Sequence, residues 1–193
     1  MEETQKILDS KNSGEQLLKH YQGEGCRYIN ELFRTNENLL SKEEKGIKTQ
    51  IEIKLNHFLK TSTGIKKYSN KTIFREDSDF NTDWFINNKN KVICFPSYLS
   101  TYRSTEQCQG RDVVNIRTLP KNSNAYDIFG FNVQNPEKEI LIIPNTNFRI
   151  TFLRNILFLK ETKSPTEILL EKDSEFYFKK QIGKKSLSDL NII

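Results

Sequence analysis

Glu137 and Glu139 stand two residues apart, directly ahead of the apolar run Ile140-Leu141-Ile142-Ile143. In an extended strand, side chains two residues apart leave the same face. The two carboxylates therefore aim at one place, at the mouth of a strand whose body is buried. Like charges held that close raise each other's proton affinity and cost stability. A cationic ligand, or a transition state that develops positive charge, explains such a pair better than packing does. Glu-Lys-Glu before a strand is also ordinary surface chemistry, so the surrounding elements have to decide between the two. A glycoside hydrolase is a poor fit, because its two carboxyl groups flank the scissile bond from opposite sides, about 5–9.5 Å apart.

The elements that would carry this pair follow from periodicity. Residues 1–12 read as a polar lead-in. From Ser13 the pattern is helical, with Leu17, Leu18 and Tyr21 on one face, and Gly23-Glu24-Gly25 ends it. Tyr28, Ile29, Leu32 and Phe33 return at helical spacing. Ser41-Lys42-Glu43-Glu44 is a capping-box signature. It opens a helix bearing Ile47, Ile51, Ile53, Leu55, Phe58 and Leu59. After Thr61-Ser62-Thr63-Gly64 the period changes to that of strands, expected at 71–75, 92–95, on through Ser100, and at 113–119. A turn is expected at Asp77-Ser78-Asp79, a small apolar element at Trp84-Phe85, and an aromatic loop at 126–134. Further strands are expected at 139–143, 148–152, 156–159, 167–170 and 176–178. The predicted class is α+β, with a helical lobe over 1–60 and a mainly antiparallel β core over 61–193, together one domain.

Composition narrows the functions available. The chain has 193 residues and a net charge of +5, from 30 basic and 25 acidic side chains. That excess is diffuse, as in the isolated pairs Lys66-Lys67, Lys179-Lys180 and Lys184-Lys185, whereas a nucleic-acid binder would show a dense basic stripe. An anionic small ligand suits the balance equally well. The 13 Phe and 7 Tyr supply bulk for a core in an otherwise polar chain. Cys26, Cys94 and Cys108 are odd in number and lack metal spacing, and His20 and His57 are far apart, so no metal is expected. Unpaired thiols favour a cytosolic working compartment. No apolar run reaches the ~20 residues of a membrane span. The N-terminus lacks a signal core, so any export is expected to proceed without a cleaved signal peptide.

The order of the motifs is informative. A strand ends in Arg75. An aromatic-rich step follows, Phe95-Pro96-Ser97-Tyr98-Leu99-Ser100-Thr101. Then come Glu137-Lys138-Glu139, an apolar run, and Pro144-Asn145-Thr146-Asn147-Phe148-Arg149-Ile150. This resembles the arginine–serine–glutamate class of mono-ADP-ribosyltransferases, which includes bacterial toxins and effectors. Gly25-Cys26-Arg27-Tyr28-Ile29-Asn30-Glu31-Leu32-Phe33-Arg34 looks like that family's N-terminal helix, so the resemblance covers roughly residues 15–180.

The resemblance implies a two-sheet core with a central cleft for NAD, which is a substrate here. It implies transfer of ADP-ribose to an arginine side chain of a target protein, with release of nicotinamide. Arg75 would hold the phosphates or ribose through its fixed donor fork. Ser100 would orient the catalytic glutamate and Thr101 would brace the strands. Glu139 would be the catalytic glutamate, and Glu137 would engage the acceptor arginine. Residues 126–136 would form the acceptor-recognition loop, with Phe129 or Phe131 offering a ring to a guanidinium.

The chain departs from the family pattern at two positions. Glu76 follows Arg75 where the family has a glycine whose backbone touches nicotinamide, and Tyr102 stands in place of a serine. Arg111, after Gly110, falls where the family binds phosphate and nicotinamide. Two alternatives stay open: an NAD glycohydrolase that uses water as acceptor, and a non-catalytic interaction domain on the same fold.

Overall fold

The structure is a computed structural model describing residues 1–77, 87–107, 112–131, 138–153, 156–162 and 191–192. Four helices come first: α1 (Glu2–Leu8), α2 (Ser13–Tyr21), α3 (Gly25–Arg34) and α4 (Lys42–Thr61). α1 occupies what the sequence presents as lead-in. Its polar surface hides one anchor, Leu8, which is fully buried, and a buried threonine, Thr4. α4 starts at the expected capping box. The Glu44 N–H donates to Ser41 Oγ at 3.2 Å and the Ser41 N–H donates to Glu44 Oε2 at 2.8 Å. Its buried stripe is Ile47, Ile51, Leu55 and Leu59, one residue every four, while Ile53 faces solvent. α2 crosses α4 at Gly14, where an added Cβ would lie 2.6 Å from Phe58 Cβ and 2.9 Å from the Lys54 carbonyl oxygen. Glycine is needed there for the approach.

The strands are β1 (Lys66–Lys67), β2 (Thr72–Asp77), β3 (Val92–Phe95), β4 (Leu99–Tyr102), β5 (Asp112–Arg117), β6 (Ala125–Asp127), β7 (Glu139–Ile142), β8 (Thr146–Leu153), β9 (Ile156–Thr162) and β10 (Asn191–Ile192). They pair in the order β1-β6-β7-β4-β2-β5-β9-β8-β3-β10. Every described pairing is antiparallel except β5 with β9. The sheet curls into a half-barrel with β2 and β5 at its middle. This is the expected α+β class, helices first and an antiparallel-rich core after.

Local differences from expectation have physical causes. Asp77, the first residue of the expected turn, is the last residue of β2, paired with Asp112, and Ser78 and Asp79 lie outside the described residues. Tyr126 is not part of a loop: it lies in β6 opposite Leu141 and is buried. Lys66-Lys67 is a short exposed edge strand against β6, and lysines on an edge discourage further pairing. Trp84-Phe85 and the segments 167–170 and 176–178 lie outside the described residues.

One core joins the lobe to the sheet. Leu17, Leu18, Tyr21, Ile29, Phe33, Ile51 and Leu55 pack with Tyr98, Tyr126, Leu141 and Ile143. Tyr98 is the pivot. Its ring lies 5.6 Å from that of Tyr21 and 5.3 Å, edge-on, from that of Phe33, and its hydroxyl donates to Asn56 Oδ1 at 2.9 Å. Among the described residues, no helix is long and apolar enough to cross a membrane.

Candidate active site

β7 is the inner strand of a three-strand unit, flanked by β6 and β4. All four of its residues are buried, including Glu139 at 4% exposure. The expected carboxylate strand is thus present with its glutamate at the entrance. Register places Tyr102 opposite Glu139 and Ser100 opposite Leu141. Alternation then puts Ser100, Tyr102 and Glu139 on one face. Thr101 lies on the other face, fully buried, and its hydroxyl donates to the Ile140 carbonyl at 2.7 Å, tying β4 to β7.

Arg75 reaches the same region from β2. Its Nη1 donates to the Ser100 carbonyl oxygen at 3.0 Å. The helical lobe closes the other side. The Tyr21 hydroxyl accepts from Asn30 Nδ2 at 3.0 Å, and it donates to the Tyr98 carbonyl at the long distance of 3.5 Å. Burial drives its pKa well above the tyrosine range. Asn30 pulls the value back, the negative charge of Glu139 raises it further, and the positive charge of Arg75 lowers it. One buried hydroxyl therefore senses both the strand glutamate and the arginine. Arg75 is thus tied to the Ser100 carbonyl, and its charge and that of Glu139 both act on Tyr21.

Gln22 follows Tyr21 as the C-cap of α2, and its Nε2 donates to Glu139 Oε2 at 3.5 Å. Sequence reasoning misses Gln22, and it sees Tyr21 and Asn30 only as parts of helices. A single polar residue at the end of a helix, just before Gly23, carries no periodic signal.

At the end of β6, Asp127 pairs with Arg103 in an ion pair, and its Oδ1 accepts the Phe129 N–H at 3.2 Å. Arg103 follows β4, so this pair spans β7, which lies between its two anchors. The Arg103 guanidinium also lies over the Phe129 ring, 5.3 Å from its centre. Phe129 is 46% exposed. Phe131 behaves differently: it packs edge-on against Phe58 of α4 at 5.6 Å and closes over Gly64. Its ring is committed to the lobe–sheet contact.

Glu76 lies in β2 opposite Val113. Glu137 and Arg111 lie outside the described residues. Cys26 and Cys94 are unpaired thiols. Among the described residues, no three His, Cys, Asp or Glu side chains gather as a metal site.

A buried carboxylate paired with a serine-bearing strand that an arginine braces can stabilise positive charge developing next to it. The sequence matches a family model described as ADP-ribosyltransferase exoenzyme over residues 2–174. A search of curated proteins found no match. Solved structures share the fold. The ADP-ribosyltransferase Vis of Vibrio splendidus, in complex with agmatine, is 16% identical with a TM-score of 0.60, over 91% of this chain and 90% of that one. The ATR domain of Salmonella SpvB is 15% identical with a TM-score of 0.61, over 80% of this chain and all of that one. An exoenzyme of Clostridium limosum is 16% identical with a TM-score of 0.56, over 84% of this chain and 91% of that one. On the family match, which spans nearly the whole chain, this protein belongs to the ADP-ribosyltransferase exoenzyme family and is an NAD-dependent mono-ADP-ribosyltransferase.

Proposed function

We propose that the acceptor is an arginine side chain of a target protein, that Glu139 is the catalytic carboxylate, and that Glu137 engages the acceptor guanidinium. The observation that carries this reading is Glu139 itself. It is a nearly inaccessible carboxylate at a strand entrance, with Ser100 on its face and Arg75 on the Ser100 carbonyl. The agmatine complex of Vis supports the acceptor class, since agmatine is a guanidinium compound.

In this reading the nicotinamide–ribose bond breaks and nicotinamide leaves with the bonding electrons. Positive charge spreads over the ribose C1′ and ring oxygen. Glu139 stabilises that charge through the ribose 2′-hydroxyl, more in the transition state than in the ground state. A guanidine nitrogen then bonds to C1′ and its proton passes to Glu137. Arginine is normally protonated, so an adjacent anionic base is needed. Arg75 binds the NAD phosphates or ribose, and Arg111 supplies a second phosphate contact. The Glu76 backbone lies at the position facing nicotinamide. Ser100 orients Glu139 and Thr101 braces the strand.

Of the two loop aromatics, Phe129 is the better guanidinium platform. It is exposed and already carries the guanidinium of Arg103, whereas Phe131 is packed on α4. Residues 1–193 act as one domain, the helical lobe contributing to the same core as the sheet. The working compartment is the cytosol of a host cell reached by secretion or translocation, in keeping with a family of exoenzymes.

The test uses labelled NAD with agmatine as acceptor. Glu139→Ala should lower both NAD cleavage and transfer by at least ~10²-fold, the typical effect of removing one preorganised stabilising group. Glu137→Ala should suppress transfer while sparing NAD hydrolysis. Undiminished cleavage by the first variant, or equal loss of both activities in the second, refutes the respective assignment.

A further inference from the structure

We propose that Gln22 is part of the NAD site: its amide nitrogen holds Glu139, and its amide oxygen accepts a hydrogen bond from the nicotinamide-ribose diol. The inference rests on the placement of Glu139 beside that ribose.

Three observations lead to it. Gln22 is fixed by the end of α2, where its backbone N–H donates to the Leu18 carbonyl at 2.9 Å. Its Nε2 lies 3.5 Å from Glu139 Oε2, a contact across 117 positions of sequence. Its Oε1 is buried and has no hydrogen-bond partner among the described residues. The orientation of the amide is settled by charge, because turning it over would set Oε1 against a carboxylate.

A buried carbonyl oxygen without a donor is a standing cost, and a protein that keeps one usually has a use for it. The oxygen and nitrogen of one amide share a carbon, so the unfilled acceptor sits immediately beside the carboxylate that the nitrogen serves. Two neighbouring acceptors match two neighbouring donors, and the vicinal hydroxyls of a ribose are such a pair. With Glu139 on the 2′-hydroxyl, Gln22 Oε1 takes the 3′-hydroxyl. Bound ribose would then satisfy the orphaned oxygen and stiffen the carboxylate at the same time. The effect belongs mainly to kcat, since the contact tightens the group that meets the developing charge.

The experiment measures NAD hydrolysis by the full chain with NAD and with an analogue lacking the 3′-hydroxyl of the nicotinamide ribose. Gln22→Met, close in shape, should lower kcat/KM about tenfold, mostly in kcat, as expected for one hydrogen bond at a charged group. The analogue should cost the wild type a similar factor and cost the variant little more. Gln22→Glu keeps an acceptor but replaces the donor with a second carboxylate, and should be slower than wild type at neutral pH. Additive losses for variant and analogue, which a structural role or a bound water in place of the ribose would give, overturn the inference. So does wild-type kcat in either variant. Glu139→Ala separates the two levels. Should it retain cleavage, the underlying placement of Glu139 is wrong. Should it be inactive while Gln22→Met cleaves NAD at the wild-type rate, only the role of Gln22 is wrong.

Discussion

Raising the pH should loosen the packing of the helical lobe on the sheet through two tyrosines. Tyr21 and Tyr98 are buried side by side between α2, α3 and β4, 2% and 1% exposed. Burial raises both hydroxyl pKa values well above the ordinary value of 10.0. For Tyr98, the nearby charge of Glu52 and then Tyr21 itself add to the rise.

The sign follows from linkage. Below about pH 10 both tyrosines are protonated in the folded and unfolded chains, and they add no pH dependence. Above it the unfolded chain releases two protons that the folded chain keeps, so the folded state loses stability as pH rises. Each tyrosine contributes about 1.4 kcal/mol per pH unit, together about 2.7 kcal/mol per unit. While the folded chain keeps both protons, the loss mounts toward the ~5 kcal/mol that is the whole stability of a marginal domain.

Urea unfolding followed by circular dichroism gives the slope, and tyrosinate absorbance in the folded state gives the titration. Tyr98→Phe should halve the slope, at the cost of the hydrogen bond to Asn56. A folded-state titration of every tyrosine near pH 10, or a slope that Tyr98→Phe leaves unchanged, would show that these hydroxyls are not sealed from water.

Two further outcomes follow from the lobe. Gly14→Ala should destabilise by about 1–3 kcal/mol in urea unfolding, because its new methyl meets Phe58 Cβ and the Lys54 carbonyl; a neutral result would mean that α2 and α4 slide apart freely. Ser41→Ala should cost about 1 kcal/mol through the lost cap of α4 and leave kcat for NAD cleavage unchanged; an altered kcat would link that helix end to the site.

Periodicity and local chemistry decide how much of this fold is legible in the sequence. The stripe of α4 repeats over twenty residues with a cap at its start, and it can be read directly. β7 announces itself because the residues after Glu139 are apolar without interruption, as an inner strand should be. α1 offers too few apolar positions to form a pattern, although Leu8 alone anchors it. β6 is three residues long and β1 two, too short to alternate, and they exist because β7 and β6 give them partners. In the site, the order of arginine, serine and glutamate is visible along the chain. The contribution of α2 is not, because the contact of Gln22 with Glu139 is purely tertiary.

The position of β7 also bears on how the protein is made. β4 and β6 are synthesised first but lie on either side of a strand that leaves the ribosome later. Until residues 139–142 emerge and slide into that slot, the two earlier strands have no neighbour to join them and the glutamate has no housing. A chain cut short before residue 139 therefore lacks the strand that joins β4 to β6. That half of the sheet closes with the insertion of one four-residue strand, while β8 and β9 have still to be made to complete the other half.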